Sequence, residues 1–157
     1  SALADLADAF PKPVFILNHI GRPLRVGPYA GHRDEIFEVW KKDMTALAER
    51  PNVVVQVGGL GNRVSGFEWD TRPAPPDSTE LTDAMSPCYL HTIETFGPER
   101  CMFESNFPVD KNSYSYTAVW NSFKRMTADY SASEKRFLFH DTAAKAYRLP
   151  LLSELSG

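Results

Sequence analysis

The chain has 157 residues, 43% of them hydrophobic and 12% aromatic, with a net charge of −3, which is enough for one globular domain with a real core. A mildly acidic chain with no basic run argues against nucleic acid as a partner, and no stretch approaches the roughly 20 apolar residues of a membrane span. There is no signal-peptide pattern at the start, and two cysteines, Cys88 and Cys101, form neither a disulfide framework nor a zinc spacing, so both are expected as buried thiols of a cytoplasmic protein.

Leu3, Leu6, Ala7 and Phe10 recur at helical spacing and read as the tail of a helix. A continuous apolar run from Val14 to Leu17 then ends in Asn18 and His19, as in a strand buried on both faces. Gly21 and Pro23 break it. A helix is predicted over 33–50, with Ile36, Phe37, Trp40, Met44 and Leu47 as its apolar stripe and Pro51 as its stop. Val53 to Val57 is a second strand, closed by Gly58-Gly59. The loop over 60–77 carries Phe67 and Trp69 among charges, a composition expected of an ordered lid. Asp77 starts a helix that runs to Phe96, with a kink or split at Pro87 and a stop at Gly97.

Cys101-Met102-Phe103 is a third strand, and it leads into Glu104, Ser105 and Asn106. Further helices are expected over 114–128, from a capping box at Ser131 through Phe139, and from a cap at Asp141 to Tyr147. The tail from Pro150 is expected to cover another part of the fold or to fray. Strands alternating with helices imply right-handed parallel β/α units in a single domain over 1–157. No dinucleotide fingerprint and no phosphate-binding loop of the Walker type follows the first strand.

Three apolar strands with polar C-terminal ends are how a parallel barrel presents catalytic groups. Period-two alternation predicts one interior face shared by Phe15, Leu17 and His19, by Val54, Gln56 and Gly58, and by Met102, Glu104 and Asn106. His19 suits a general base or a metal ligand. Glu104 is a carboxylate in a strand, a costly placement unless it is paired or bound. Asn106 can hydrogen-bond but cannot act as a base. Arg22, Arg25, Arg63 and Arg72 follow strands in loops, where guanidinium forks would hold a carboxylated or polyhydroxylated small-molecule substrate.

The runs LNHIGRP (17–23), VVVQVGGLG (53–61), RCMFESNFPVDK (100–111) and LFHDTAAKAYRL (138–149) resemble the amidohydrolase family of lactonase-like, TIM-barrel, metal-dependent hydrolases. The resemblance implies the C-terminal part of a (β/α)8 barrel, about three β/α units that cannot close by themselves. It places His19 in the active site as base or metal ligand. It also implies a divalent metal, zinc or manganese. However, Asn106 stands where the family has its Asp, so that either Glu104 or Asp110 takes that role, or the metal is lost, or hydrolysis itself is lost, and the family's first-strand H-x-H is absent. The implied reaction is water attack on a lactone or ester-like carbonyl, with Arg22, Arg25, Gln56, Arg63, Trp69 and Arg72 around the substrate and Phe67 and Trp69 roofing it. The alternatives are a decarboxylase or lyase of the same superfamily, and an inactive fragment serving as a structural or interaction module. An incomplete barrel is expected to need its N-terminal half or self-association, and the isolated chain is expected to be inactive.

Overall fold

A computed structural model describes residues 2–149; the tail from Pro150 lies outside them. Three parallel strands, β1 (Phe15–Leu17), β2 (Val53–Val57) and β3 (Cys101–Phe103), pair in the order β1-β2-β3. Helices α1 (Ala2–Ala9), α2 (Arg33–Ala48), α3 (Ser78–Phe96) and α4 (Tyr116–Met126) precede, connect and follow them. The chain then runs through α5 (Ala132–Arg136), a π turn (Phe137–Asp141) and α6 (Thr142–Tyr147). This is a mixed α/β array of parallel β/α units. Among the described residues, no helix is long and apolar enough to cross a membrane.

The register decides which side chains share a face. Phe15, Ile16 and Leu17 pair with Val53, Val54 and Val55, and Val55, Gln56 and Val57 pair with Cys101, Met102 and Phe103. Val53, Val55, Val57 and Cys101 are fully buried, and Phe103 stacks on Phe123 of α4 at 4.3 Å and meets Phe139 at 4.9 Å. That is the face the helices cover, and the register adds Phe15 and Leu17 to it. The expected grouping of Phe15 and Leu17 with Gln56 is therefore wrong by one residue, and Ile16 takes their place. Such a one-residue difference moves every side chain of a strand to the other face.

Several other expectations change. The first strand stops at Leu17 rather than His19. In α1, Ala4 and Ala7 are buried while Leu6 is exposed, and Phe10, just past the helix end, is exposed as well. Asn52 fastens its end by donating to the carbonyls of Ala7, Phe10 and Pro13. Helix α3 runs unbroken through Pro87. Pro87 is exposed, so the carbonyl that loses its amide partner lies where water can reach it. Asp141 sits inside the π turn and caps nothing; its carboxylate accepts from Arg136 (2.7 Å) and His140 (2.8 Å). Helix α4 starts at Tyr116, capped by the Ser115 hydroxyl, rather than at 114. The Asp77 cap, the Ser131 capping box and the two buried free thiols are as expected.

Three long-range bonds lock the array at opposite ends. Arg100 donates to the carbonyls of Ala48 and Arg50 at 2.9 Å each, tying the start of β3 to the end of α2. The buried Trp40 indole donates to the Ile20 carbonyl (2.8 Å), tying α2 to the turn after β1. Trp40→Phe would leave that carbonyl without its donor, so a loss of about 1–3 kcal/mol is expected. Urea denaturation reads it directly, and an unchanged midpoint would show that the bond contributes nothing.

Candidate active site at the strand ends

His19 is held by a turn, not by a strand. His19, Ile20, Gly21 and Arg22 all have left-handed backbones, with φ of 54°, 51°, 70° and 42°. For β-branched Ile20 this is a genuine outlier, of the kind that costs about 1–3 kcal/mol. The burial of its side chain and the Trp40 bond hold it in place. The turn swings the His19 imidazole towards the end of β3, where its Nδ1 contacts Glu104 Oε1. Glu104 continues β3 by one bond, its amide donating to the Val57 carbonyl (3.2 Å).

These two side chains come from just beyond the outer strands and meet past the end of the middle one. Strand β2 makes this possible by ending in glycines. A Cβ on Gly58 would lie 2.6 Å from Glu104 Cγ, and one on Gly59 would lie 2.6 Å from His19 Cγ. Gly59 also has φ +75°. The side chains of His19 and Glu104 remain 21% and 17% exposed, so the pair is shielded yet reachable.

A second layer lies behind the pair. Asp110 is buried, and its carboxylate accepts from Asn106 Nδ2 (2.9 Å), Tyr114 Oη (2.8 Å) and the Gly61 amide (3.1 Å). Burial pushes this carboxyl above the usual aspartate value, against the opposing pull of those three donors and of the nearby Arg22 charge. Burial also raises the Tyr114 phenol well above its ordinary range. A Cβ on Gly61 would meet the Tyr114 ring. Asp110 and Tyr114 are the groups that a reading of strand ends misses as a pair. Their i, i+4 spacing, and the glycines facing them in the run 58–61, are the signals that could have located them.

The other predicted residues separate. Asn106, in a left-handed conformation (φ 54°), is tied to Asp110 rather than standing free. Gln56 donates to the Tyr147 hydroxyl of α6 (2.8 Å), away from His19. Arg72 is exposed and paired through both terminal nitrogens with Glu80. Arg63 is exposed on a short turn. Trp69 is buried, stacked on Phe67 at 4.3 Å and edge-on to Tyr114 at 6.0 Å, so these rings form a tier packed over the Asp110 layer. Arg22 keeps a buried Nε with no hydrogen-bond partner, and so does Arg25.

A family model described as amidohydrolase matches residues 1–149, and the chain belongs to that family. It is 41% identical over 145 residues to an uncharacterized protein, y4mH, of Sinorhizobium fredii, covering 92% of this chain and 42% of that protein. It is 29% identical over 136 residues to the L-fucono-1,5-lactonase of Burkholderia multivorans, covering 86% and 43%. A crystal structure of a Burkholderia multivorans amidohydrolase with bound zinc matches with a TM-score of 0.75 and 28% identity, covering 95% of this chain and 48% of that one. The chain thus spans less than half the length of these relatives.

Two outcomes follow from the geometry. Gly59→Ala is expected to destabilise the fold more than Gly27→Ala, which shares a positive φ (+59°) but has open space around it. The excess measures the collision with His19, and equal losses in denaturation would contradict the close approach. A carboxyl whose pKa is raised by folding stabilises at low pH, and that contribution is lost as pH rises through the folded value. Stability attributable to Asp110 is therefore expected to fall as pH rises above the ordinary 3.8. Unfolding free energies of wild type and Asp110→Asn, compared between about pH 4 and about pH 7, should diverge in that sense. A difference independent of pH would refute it.

Proposed function

We propose that this chain carries part of the active site of a hydrolase acting on a lactone or other ester-like carbonyl in a small, carboxylated substrate. The observation that carries the reading is the contact between His19 Nδ1 and Glu104 Oε1 at the ends of two strands. A carboxylate at Nδ1 favours the tautomer with its proton there, which leaves the Nε2 lone pair as the base. Nε2 takes a proton from water as the water oxygen bonds to the carbonyl carbon. Glu104 steadies the imidazolium that results. When the ring C–O bond breaks, Nε2 returns the proton to the departing oxygen. Arg22, whose guanidinium Nε has no partner, suits the substrate's carboxylate. The lactonase among the relatives supports the reaction class.

A zinc-bound relative raises the question of a metal. Among the described residues there is no group of three His, Cys, Asp or Glu that could hold one. A catalytic zinc takes three protein ligands, and His19 offers one nitrogen. These residues do not by themselves make a zinc or manganese site.

We also propose that residues 1–157 act as the last three β/α units of a barrel completed by further strands, from an N-terminal half or from another copy. Strands β1 and β3 each pair on one side only among the described residues, and Leu6, Phe10 and Val14, in the segment leading into β1, are exposed. The test is lactone hydrolysis by the chain assembled with an N-terminal half. Glu104→Gln is expected to lower kcat by about 10²-fold with little change in KM, and His19→Asn by at least as much. Full rates in both variants would overturn the proposed base.

A further inference from the structure

A cavity of about 630 Å³ opens between the start of α2, the first half of α3 and the turn over 63–69. Arg25, Arg33, Phe37, Phe67, Trp69 and Cys88 shape it, and neither His19 nor Glu104 lines it. Its chemistry is lopsided. The Arg25 guanidinium has a single side-chain partner, the Cys88 sulfur at 3.7 Å, and its buried Nε has none. Burial raises the Cys88 thiol, so that partner is a neutral, weak acceptor. Arg33 donates one N–H to the Gly66 carbonyl. Both guanidiniums lie within cation–π range of the Phe67 ring, at 5.9 and 5.5 Å. Of the other charges on the wall, Arg72 and Glu80 neutralise each other, and Asp34 is exposed. Two like charges thus converge on one cavity with an aromatic wall, with one carboxylate, Asp34, left over against them.

The arrangement is held in advance. The Arg25 amide donates to the Val64 carbonyl (2.9 Å), and Gly66, at φ +73°, leaves no room for a Cβ, which would lie 2.9 Å from Arg25 Cβ. The loop after β1 and the loop after β2 are therefore clasped at the point where Arg25 enters the cavity. Phe67 lies flat on Trp69, with 3° between the ring planes, and gives the cavity an aromatic wall.

We propose that this cavity binds a carboxylate carried on an aromatic ring. The carboxylate oxygens accept from Arg25 and Arg33, which lack oxygen acceptors for most of their N–H groups, and the ring packs against Phe67, Trp69 and Phe37. The site is separate from the His19–Glu104 pair, so it stands whether or not the hydrolase reading does.

Trp69 supplies the readout. Benzoate titrated into the protein at fixed ionic strength is expected to give a saturable change in tryptophan fluorescence that Trp69→Phe abolishes. Acetate, which has the charge without the ring, and benzyl alcohol, which has the ring without the charge, are expected to give none over the same range. Arg25→Met and Arg33→Gln are each expected to raise the Kd for benzoate by about tenfold or more. Lys42→Gln, which removes an equal charge from an exposed site on α2, is expected to leave it unchanged. Should Arg25→Met fail to fold, Arg33→Gln carries the test, since Arg33 is exposed in the first turn of its helix. Absence of saturation with benzoate, equal responses to benzyl alcohol, or an unchanged Kd in Arg33→Gln would overturn the proposal.

Discussion

The structure depends on one close approach. His19 and Glu104 follow the two outer strands of a three-stranded sheet, and they touch only because Gly58 and Gly59, just after the middle strand, have no side chains where they pass. A Cβ at Gly58 would collide with the backbone carbonyl and Cγ of Glu104, and one at Gly59 with the His19 imidazole. The strain in the turn from His19 to Arg22 belongs to the same arrangement. An isoleucine accepts a left-handed backbone there because its side chain is buried and its carbonyl is bonded by Trp40. Packing by α2 therefore reaches the site through a single residue.

Behind the pair, the Asp110 carboxylate joins the loop after β2 to both ends of the loop between β3 and α4. Gly61 comes from the end of β2, Asn106 from the end of β3, and Tyr114 from just before α4. A buried carboxylate with this many donors is a costly group made tolerable by its bonds. It fixes Asn106 so firmly that the asparagine is an anchor of the site rather than a free reagent. In the aromatic tier, Trp69 packs edge-on to Tyr114 of this layer, while Phe67 and Trp69 also form a wall of the arginine-lined cavity.

Much of the fold was legible in the sequence. The continuous run Val53–Val57 had to be a buried strand, and the Asp77 and Ser131 caps marked helix starts because their side chains bond the first free amides. Polar residues at the ends of apolar runs pointed to His19 and Glu104, since such groups have no place in a packed sheet. The arginines were less legible. A guanidinium in a loop reads the same whether it ends up on a glutamate, as Arg72 does, or beside an aromatic ring, as Arg25 does.

The sequence by itself determined the element types, the family and the residue types at the strand ends, because periodicity, caps and motifs are local properties of the chain. Only the tertiary structure decided which of those residues meet. Strand register moved Phe15 and Leu17 to the helix-covered face, and a left-handed turn rather than a strand aimed His19. Tyr147, 91 positions away, claimed Gln56, and Asp110 claimed Asn106. Hydrogen bonds between distant segments depend on where packing brings the backbone, and a single sequence carries no local signal of that distance.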